Sequence, residues 1–289
     1  MFPTSTIGFD VTGYAVSVAM ERVLVTGAAG GIGRQLRPLL RQAYPMLRLS
    51  DRIAVTDLVP GETFVPAELD ELPSVERAVA GIEGIVHLGG ISVEDDWPTI
   101  LQSNIIGTYN LFEAARRQGV KRIVFASSNH AVGFYRRRRR IGTKVLPRPD
   151  TRYGVSKVFG EALGALYADK FGLGVLCIRI GNVDGRPVDK RRLSIWIHIE
   201  DLGALVRIGL DHPDLRFEVV YGASDNERSW WDNGTAYRLG YRPRHRAEDH
   251  VAQALAAQAK LPPDPVGDIF QGGGFCSMEF ASEPERSGS

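Results

Sequence analysis

Residues 22–33, RVLVTGAAGGIG, constrain the fold more than any other stretch. A short apolar run ends in a glycine-rich turn. The next segment, RQLRPLLRQAY, carries Leu36, Leu39 and Leu40 at helical spacing. Gly27, Gly30 and Gly33 form a G-x-x-G-x-x-G pattern, with Gly31 and Ile32 completing the turn. Glycines allow a tight turn and let backbone N–H groups approach a pyrophosphate, and the helix N-terminus favours the negative charge. Glycine patterns also occur in ordinary turns. Here a strand precedes and a helix follows, as a dinucleotide site requires.

Downstream, strand-like and helix-like segments alternate. RIAVTD (52–57), TFVPAEL (63–69), GIVHLGG (84–90), RIVFASS (122–128) and GVLCIRI (174–180) read as strands. SVERAVAGI (74–82), the stretch 97–119 and the stretch 153–172 read as helices. This alternation predicts an α/β fold, a doubly wound parallel sheet of the Rossmann type. It fades after about residue 181. The expected organisation is a disordered leader (1–19), an NAD-binding domain (20–181), a small C-terminal substrate-binding cap (182–275) and a disordered tail (276–289). FEVVYGAS (217–224) is expected to return to the sheet as a late strand.

The strand assignment at 52–57 makes Asp57 the acid that accepts hydrogen bonds from the adenosine ribose. Leu58, Val59 and Pro60 supply no cation for a 2′-phosphate, so NAD is expected rather than NADP. Asp70 and Glu71 are placed near the adenine amino group. Leu88 and Gly89 end the strand at 84–90 and join the cofactor contacts.

YGVSK puts Tyr153 and Lys157 four residues apart at the start of a helix, on one face. A tyrosine ordinarily titrates near 10, and a neighbouring ammonium favours its phenolate. Ser128, at the end of the 122–128 strand, can hold the same substrate oxygen. Together the three can move a proton while a hydride passes to a nicotinamide.

Arg136 to Arg140 form an unbroken basic run, but 35 Lys and Arg face 34 Asp and Glu, for a net charge of +1. A nucleic-acid protein carries a larger basic excess, so the run is read as a solvated loop. Its milder reading is steering of anionic substrate. Two cysteines without ligand spacing suit a reducing cytoplasm, and no metal is expected. No segment approaches the roughly 20 apolar residues of a membrane span. His87 reads as a core histidine, Trp230 and Trp231 as cap packing, and Asp201 as a helix cap.

The glycine loop, Ser128, Tyr153 and Lys157 resemble the extended short-chain dehydrogenase/reductase superfamily. IVHLGGISVE, NIIGTYNLFEAAR, IVFASSNH, YGVSKVFGE, RRLSIW, GASDN, WWDN and FQGGGF narrow the resemblance to the uronate dehydrogenases, from about Met20 to Phe275. It implies NAD-linked oxidation of C1 of a cyclic hexuronic acid to an aldarolactone. Tyr153 would be the base, and Lys157 would tune it and hold the nicotinamide ribose. Ser92, Asn129, His130 and Arg191 would contact the sugar and its carboxylate, with Arg192 the other candidate. Asn182 stands where that family often has a small hydroxyl residue. Asn104 is counted with the cofactor contacts; its residue type suits either ordering the loop near the catalytic residues or satisfying backbone groups. The long helices near 97–118 and 153–171 imply a homo-oligomer. A sugar-nucleotide epimerase or dehydratase is the alternative, though such enzymes usually carry a larger C-terminal domain. A non-catalytic NAD sensor commonly lacks the Tyr or Lys kept here.

Overall fold

A computed structural model describes residues 20–284. The expected leader lies outside the described residues. Seven parallel strands form one sheet in the order β3-β2-β1-β4-β5-β6-β9. They are β1 (Arg22–Thr26), β2 (Met46–Ser50), β3 (Glu62–Phe64), β4 (Gly84–His87), β5 (Arg122–Ser128), β6 (Gly174–Ile180) and β9 (Phe217–Gly222). A separate pair, β7 (Asn182–Val183) and β8 (Trp196–Ile197), runs alongside in parallel. Helices α1 (Gly31–Ala43) and α7 (Ile199–Asp211) cover one face. Helices α2 (Leu72–Val79), α4 (Gly107–Arg117) and α5 (Arg152–Phe171) cover the other. The central strands are buried on both sides, as the apolar runs required. The strand order reverses between β1 and β4, which opens a crevice at the carboxyl edge of the sheet.

One strand lies elsewhere than expected. RIAVTD is loop, with Ile53 exposed, and the second strand is MLRLS at Met46–Ser50. Helix α1 stops at Ala43, and Pro45 directly after Tyr44 prevents its continuation. The strand therefore begins at once, burying Leu47 and Leu49. Thr26 pairs with Ser50, so the next residues, Gly27 and Asp51, lie abreast at the sheet edge.

The helix expected over 97–119 has three parts. They are α3 (Trp97–Ile100), a π-helical turn at Leu101–Ile106, and α4. FEVVYGAS does return to the sheet, parallel to β6. The smaller helices are α6 (Arg192–Ile195), α8 (Gly234–Arg238), α9 (Val251–Gln258) and α10 (Gly274–Ser277). Order continues past residue 275, because α10 reaches Ser277 and buries Cys276. No helix among the described residues is long and apolar enough to cross a membrane.

Two of the five arginines are built into the fold rather than solvated. Arg136 pairs with Phe270 in an antiparallel bridge. Arg137 donates to the carbonyls of Phe270 (3.1 Å) and Gly267 (2.6 Å). Arg138, Arg139 and Arg140 are exposed. The run thus stitches the segment after Ser128 to the FQGGGF segment.

Candidate active site

The crevice holds a cavity of about 560 Å³, within the size range of small-molecule sites. Gly27, Gly30, Gly31, Ile32 and Gly33 line one end, with Leu88 and Gly89 packed beside Gly27. Ser92, Ser128, Asn129, His130, Tyr153 and Lys157 line the other. The glycines are required by geometry. Gly27 has φ +67°, and a Cβ there would sit 2.7 Å from the Leu88 carbonyl carbon. A Cβ on Gly33 would sit 2.4 Å from the Gly27 carbonyl oxygen. The backbone cradle and the α1 N-terminus fit a dinucleotide pyrophosphate.

The acid of this end is Asp51, which lines the cavity and accepts a hydrogen bond from the Ala29 N–H at 3.0 Å. Asp57 is corrected. Its side chain is 81% exposed and ion-paired with Arg37 at 2.9 Å, outside the cavity lining. The misplaced strand explains the error. Arg52 also lines the cavity, so the acid does have a neighbouring cation. Asp70 lines the cavity with Glu68, whereas Glu71 does not and instead precedes helix α2 as its N-cap residue.

Helix α5 presents Tyr153 and Lys157 from its first turns. Thr151 caps it, its Oγ1 accepting from the Gly154 N–H at 3.0 Å. Glu94 adds a carboxylate at the positive helix end, accepting from the Tyr153 N–H at 2.8 Å. Between α5 and β5, Glu161 accepts from Ser127 Oγ (2.6 Å) and takes both ends of the Arg179 guanidinium (2.8 Å each). This buried network fixes Ser128, the next residue on β5, against the helix. Asn104, in the π-helical turn, is not part of the cavity lining. Its Oδ1 accepts from Ile91 N–H at 2.8 Å, and its Nδ2 donates to Ser156 Oγ at 3.0 Å. It ties the Ile91 loop to α5 through Ser156 and stands outside the cofactor contacts it was counted with.

Burial sets the electrostatics of the set. Tyr153 is pushed up to about 12 by desolvation, partly offset by Ser128. Lys157 is pushed down to about 8 by burial, its Nζ 5.3 Å from the Tyr153 ring centroid. Each group thus leans toward its neutral form in the free protein. A phenolate and an ammonium side by side relieve both penalties.

Beyond the triad, His130 bonds Asp150 (Nδ1 to Oδ2, 2.7 Å). Its ring stacks on Phe275 at 3.9 Å and stands edge-on to Tyr153 at 5.9 Å. Of the two adjacent arginines, Arg192 pairs with Asp189. Arg191 is not itself in the cavity lining but lies against the lining residue Asn129, its Nε donating to the Gln271 carbonyl at 2.9 Å. With the Asn129 amide oriented to satisfy its neighbours, the Asn129 oxygen accepts from Arg191 Nη2 at 3.1 Å. Among the described residues Arg191 has no carboxylate within ion-pair distance. Burial, then Arg137 and Arg192, push it down to about 10. Asn182 adjoins the cavity residues Gly181 and Val183, and its Oδ1 is buried without a hydrogen-bond partner.

Sequence reasoning missed Asp51, Glu94, Asp150, Gln271 and Phe275. Asp51 had a signal, the Leu47–Leu49 alternation before it. Phe275 lay in a quoted motif but gave no reason to point inward.

The parallel sheet, the glycine cradle and the Ser128–Tyr153–Lys157 set define a dinucleotide-binding domain of the short-chain dehydrogenase type. A family model, NAD dependent epimerase/dehydratase family, matches residues 23–201. The chain belongs to that family, among its uronate dehydrogenases. Uronate dehydrogenase of Agrobacterium fabrum is 46% identical over 258 residues, covering 89% of this chain and 97% of the relative. That of Pseudomonas putida is 42% identical over 256 residues, covering 88% and 95%. Among solved structures, a mutant uronate dehydrogenase from Agrobacterium tumefaciens complexed with NAD aligns with TM-score 0.86 and 45% identity. That alignment covers 90% of this chain and 98% of the other.

Proposed function

We propose that this protein oxidises C1 of a cyclic hexuronic acid to an aldarolactone, using NAD. The observation that carries the substrate class is Arg191. It is a desolvated guanidinium with no carboxylate in ion-pair distance among the described residues, and Arg137 and Arg192 outweigh the nearby Asp150 and Asp189 in its surroundings. Such a group favours an anion, and its planar fork suits a carboxylate. The Asn129 oxygen and the Gln271 carbonyl hold the fork in place.

Bound NAD would supply the hydride acceptor. Ser128 holds the C1 hydroxyl, and Tyr153 takes its proton as the hydride leaves C1. Lys157 stabilises the phenolate and holds the nicotinamide ribose. His130, kept in place by Asp150 and Phe275, contacts the sugar with Ser92 and Asn182. Asp51, in place of Asp57, accepts from the adenosine ribose. Glu68 and Asp70 are the acids beside the adenine. The relatives named uronate dehydrogenase, at 42–46% identity, support this reading.

The test is absorbance at 340 nm with NAD and glucuronate or galacturonate, beside glucose. NADH is expected with the uronates and not with glucose. No NADH with either uronate, from protein that binds NAD, rejects the proposal.

A further inference from the structure

Away from the cavity, two histidines and a glutamate meet at the start of α7. His198 caps the helix, Glu200 stands in its first turn, and His245 comes from the segment after α8. One ligand atom of each lies within 4.8 Å of the others. The two imidazoles stack with centroids 3.6 Å apart.

We propose that His198, Glu200 and His245 bind a divalent metal ion of the zinc class. The first argument is spacing. Bonds of about 2.0–2.1 Å in a tetrahedral zinc site put neighbouring ligand atoms roughly 3.4 Å apart. His245 Nε2 and Glu200 Oε2 are 3.5 Å apart. The second is the carboxylate behind the histidine. Buried Asp201 places Oδ2 3.3 Å from His245 Nδ1. In metal sites the second ring nitrogen of a ligating histidine donates to a carboxylate, which leaves the other nitrogen's lone pair for the ion. Asp201 is itself fixed, accepting from the Arg244 N–H at 2.8 Å and from Ser224 Oγ at 2.5 Å. Third, His245 Nδ1 is buried without a well-aligned hydrogen bond. A metal at Nε2 would draw that ring into line with Asp201.

The His198 Nδ1 accepts only a long 3.3 Å bond from the Glu200 N–H. Turning a ring nitrogen to the metal costs that one contact at a solvent-facing helix end. Two imidazoles with one carboxylate favour zinc, cobalt or nickel over magnesium or calcium, which prefer oxygen. Glu200 is half exposed, which gives an entry path. The ion would tie α7 to the segment around 244–246, and so brace the cap against the sheet.

Cobalt(II) and zinc are the probes, added to tag-free full-length protein at neutral pH. One equivalent should bind by calorimetry, cobalt should give the intense visible bands of a four- or five-coordinate site, and Tm should rise. His245→Gln and Glu200→Gln should each weaken binding by about 100-fold or more, since losing even a residue behind the ligands costs about 10- to 100-fold. Near-UV circular dichroism checks that both variants are folded. A cobalt spectrum that stays that of the aqueous ion, or folded variants that bind as the parent does, overturns the proposal.

Discussion

At the residue scale the site separates recognition from chemistry. Arg191→Ala removes a charge-assisted contact worth about 1.5–3 kcal/mol. We expect kcat/KM for uronates to fall by roughly 10- to 150-fold, while NAD affinity, measured by fluorescence titration, stays unchanged. Tyr153→Phe should lower kcat by about 10²- to 10⁴-fold with little change in binding. Lys157, at about 8, sets the alkaline limb. Its ammonium is present below that value and lost as pH rises through it, so kcat/KM should decline above about pH 8. Lys157→Arg should move the decline upward, because the guanidinium keeps its charge. Cofactor choice turns on Asp51 and Arg52. Asp51→Ser should raise KM for NAD and admit NADP, since it removes the charge that repels a 2′-phosphate and leaves Arg52 in place. Asp57→Ala should leave both cofactor constants where they are. A change at Asp57 and none at Asp51 would reverse this assignment.

At the element scale, the same misreading shows where sequence stops being informative. Parallel strands buried on both faces announce themselves as apolar runs, and so β1, β4, β5 and β6 were legible. β2 was not. MLRLS and RIAVTD carry comparable alternation, and the choice between them rests on Pro45 ending α1. The triad was legible because Tyr153 and Lys157 share a helix face and Ser128 ends a strand. His130 and Arg191 came through motif likeness. Gln271 and Phe275 were hidden because they reach Arg191 and His130 only through contacts 80 and 145 residues apart in sequence, and Asp150 because it meets His130 from a loop 20 residues on with no periodic pattern. The helix ends add a prediction. Glu94→Ala deletes the acceptor at the α5 N-terminus and should cost about 1 kcal/mol of stability, together with a lower kcat. Urea unfolding beside steady-state kinetics checks both, and a loss of stability without one in kcat would leave Glu94 a structural cap.

At the scale of the whole molecule, acid sensitivity has an identifiable source. His87 is fully buried, bonded to Thr26 at 2.7 Å, and pushed down to about 3. Its unfolded value is about 6.5. Between those values the unfolded chain binds the extra proton, so stability falls as pH drops from about 6.5 toward 3. His87→Asn should flatten that part of the Tm-against-pH curve. Self-association is expected through α4 and α5, which expose Tyr109, Val155, Leu166 and Phe171. Light scattering of Leu166→Lys against the parent tests it: unchanged mass would place any interface elsewhere.

The pairing of the arginine run with the FQGGGF segment bears on the order in which a growing chain gains its abilities. The nucleotide cradle and the helices that cover its sheet lie within the chain through β9. Arg191 takes its position against Asn129 only when the Gln271 carbonyl reaches it, and His130 gains its stacking partner only with Phe275. A nascent chain therefore holds nucleotide before it can tell an acid from a neutral sugar. Selectivity is the last property the polypeptide acquires.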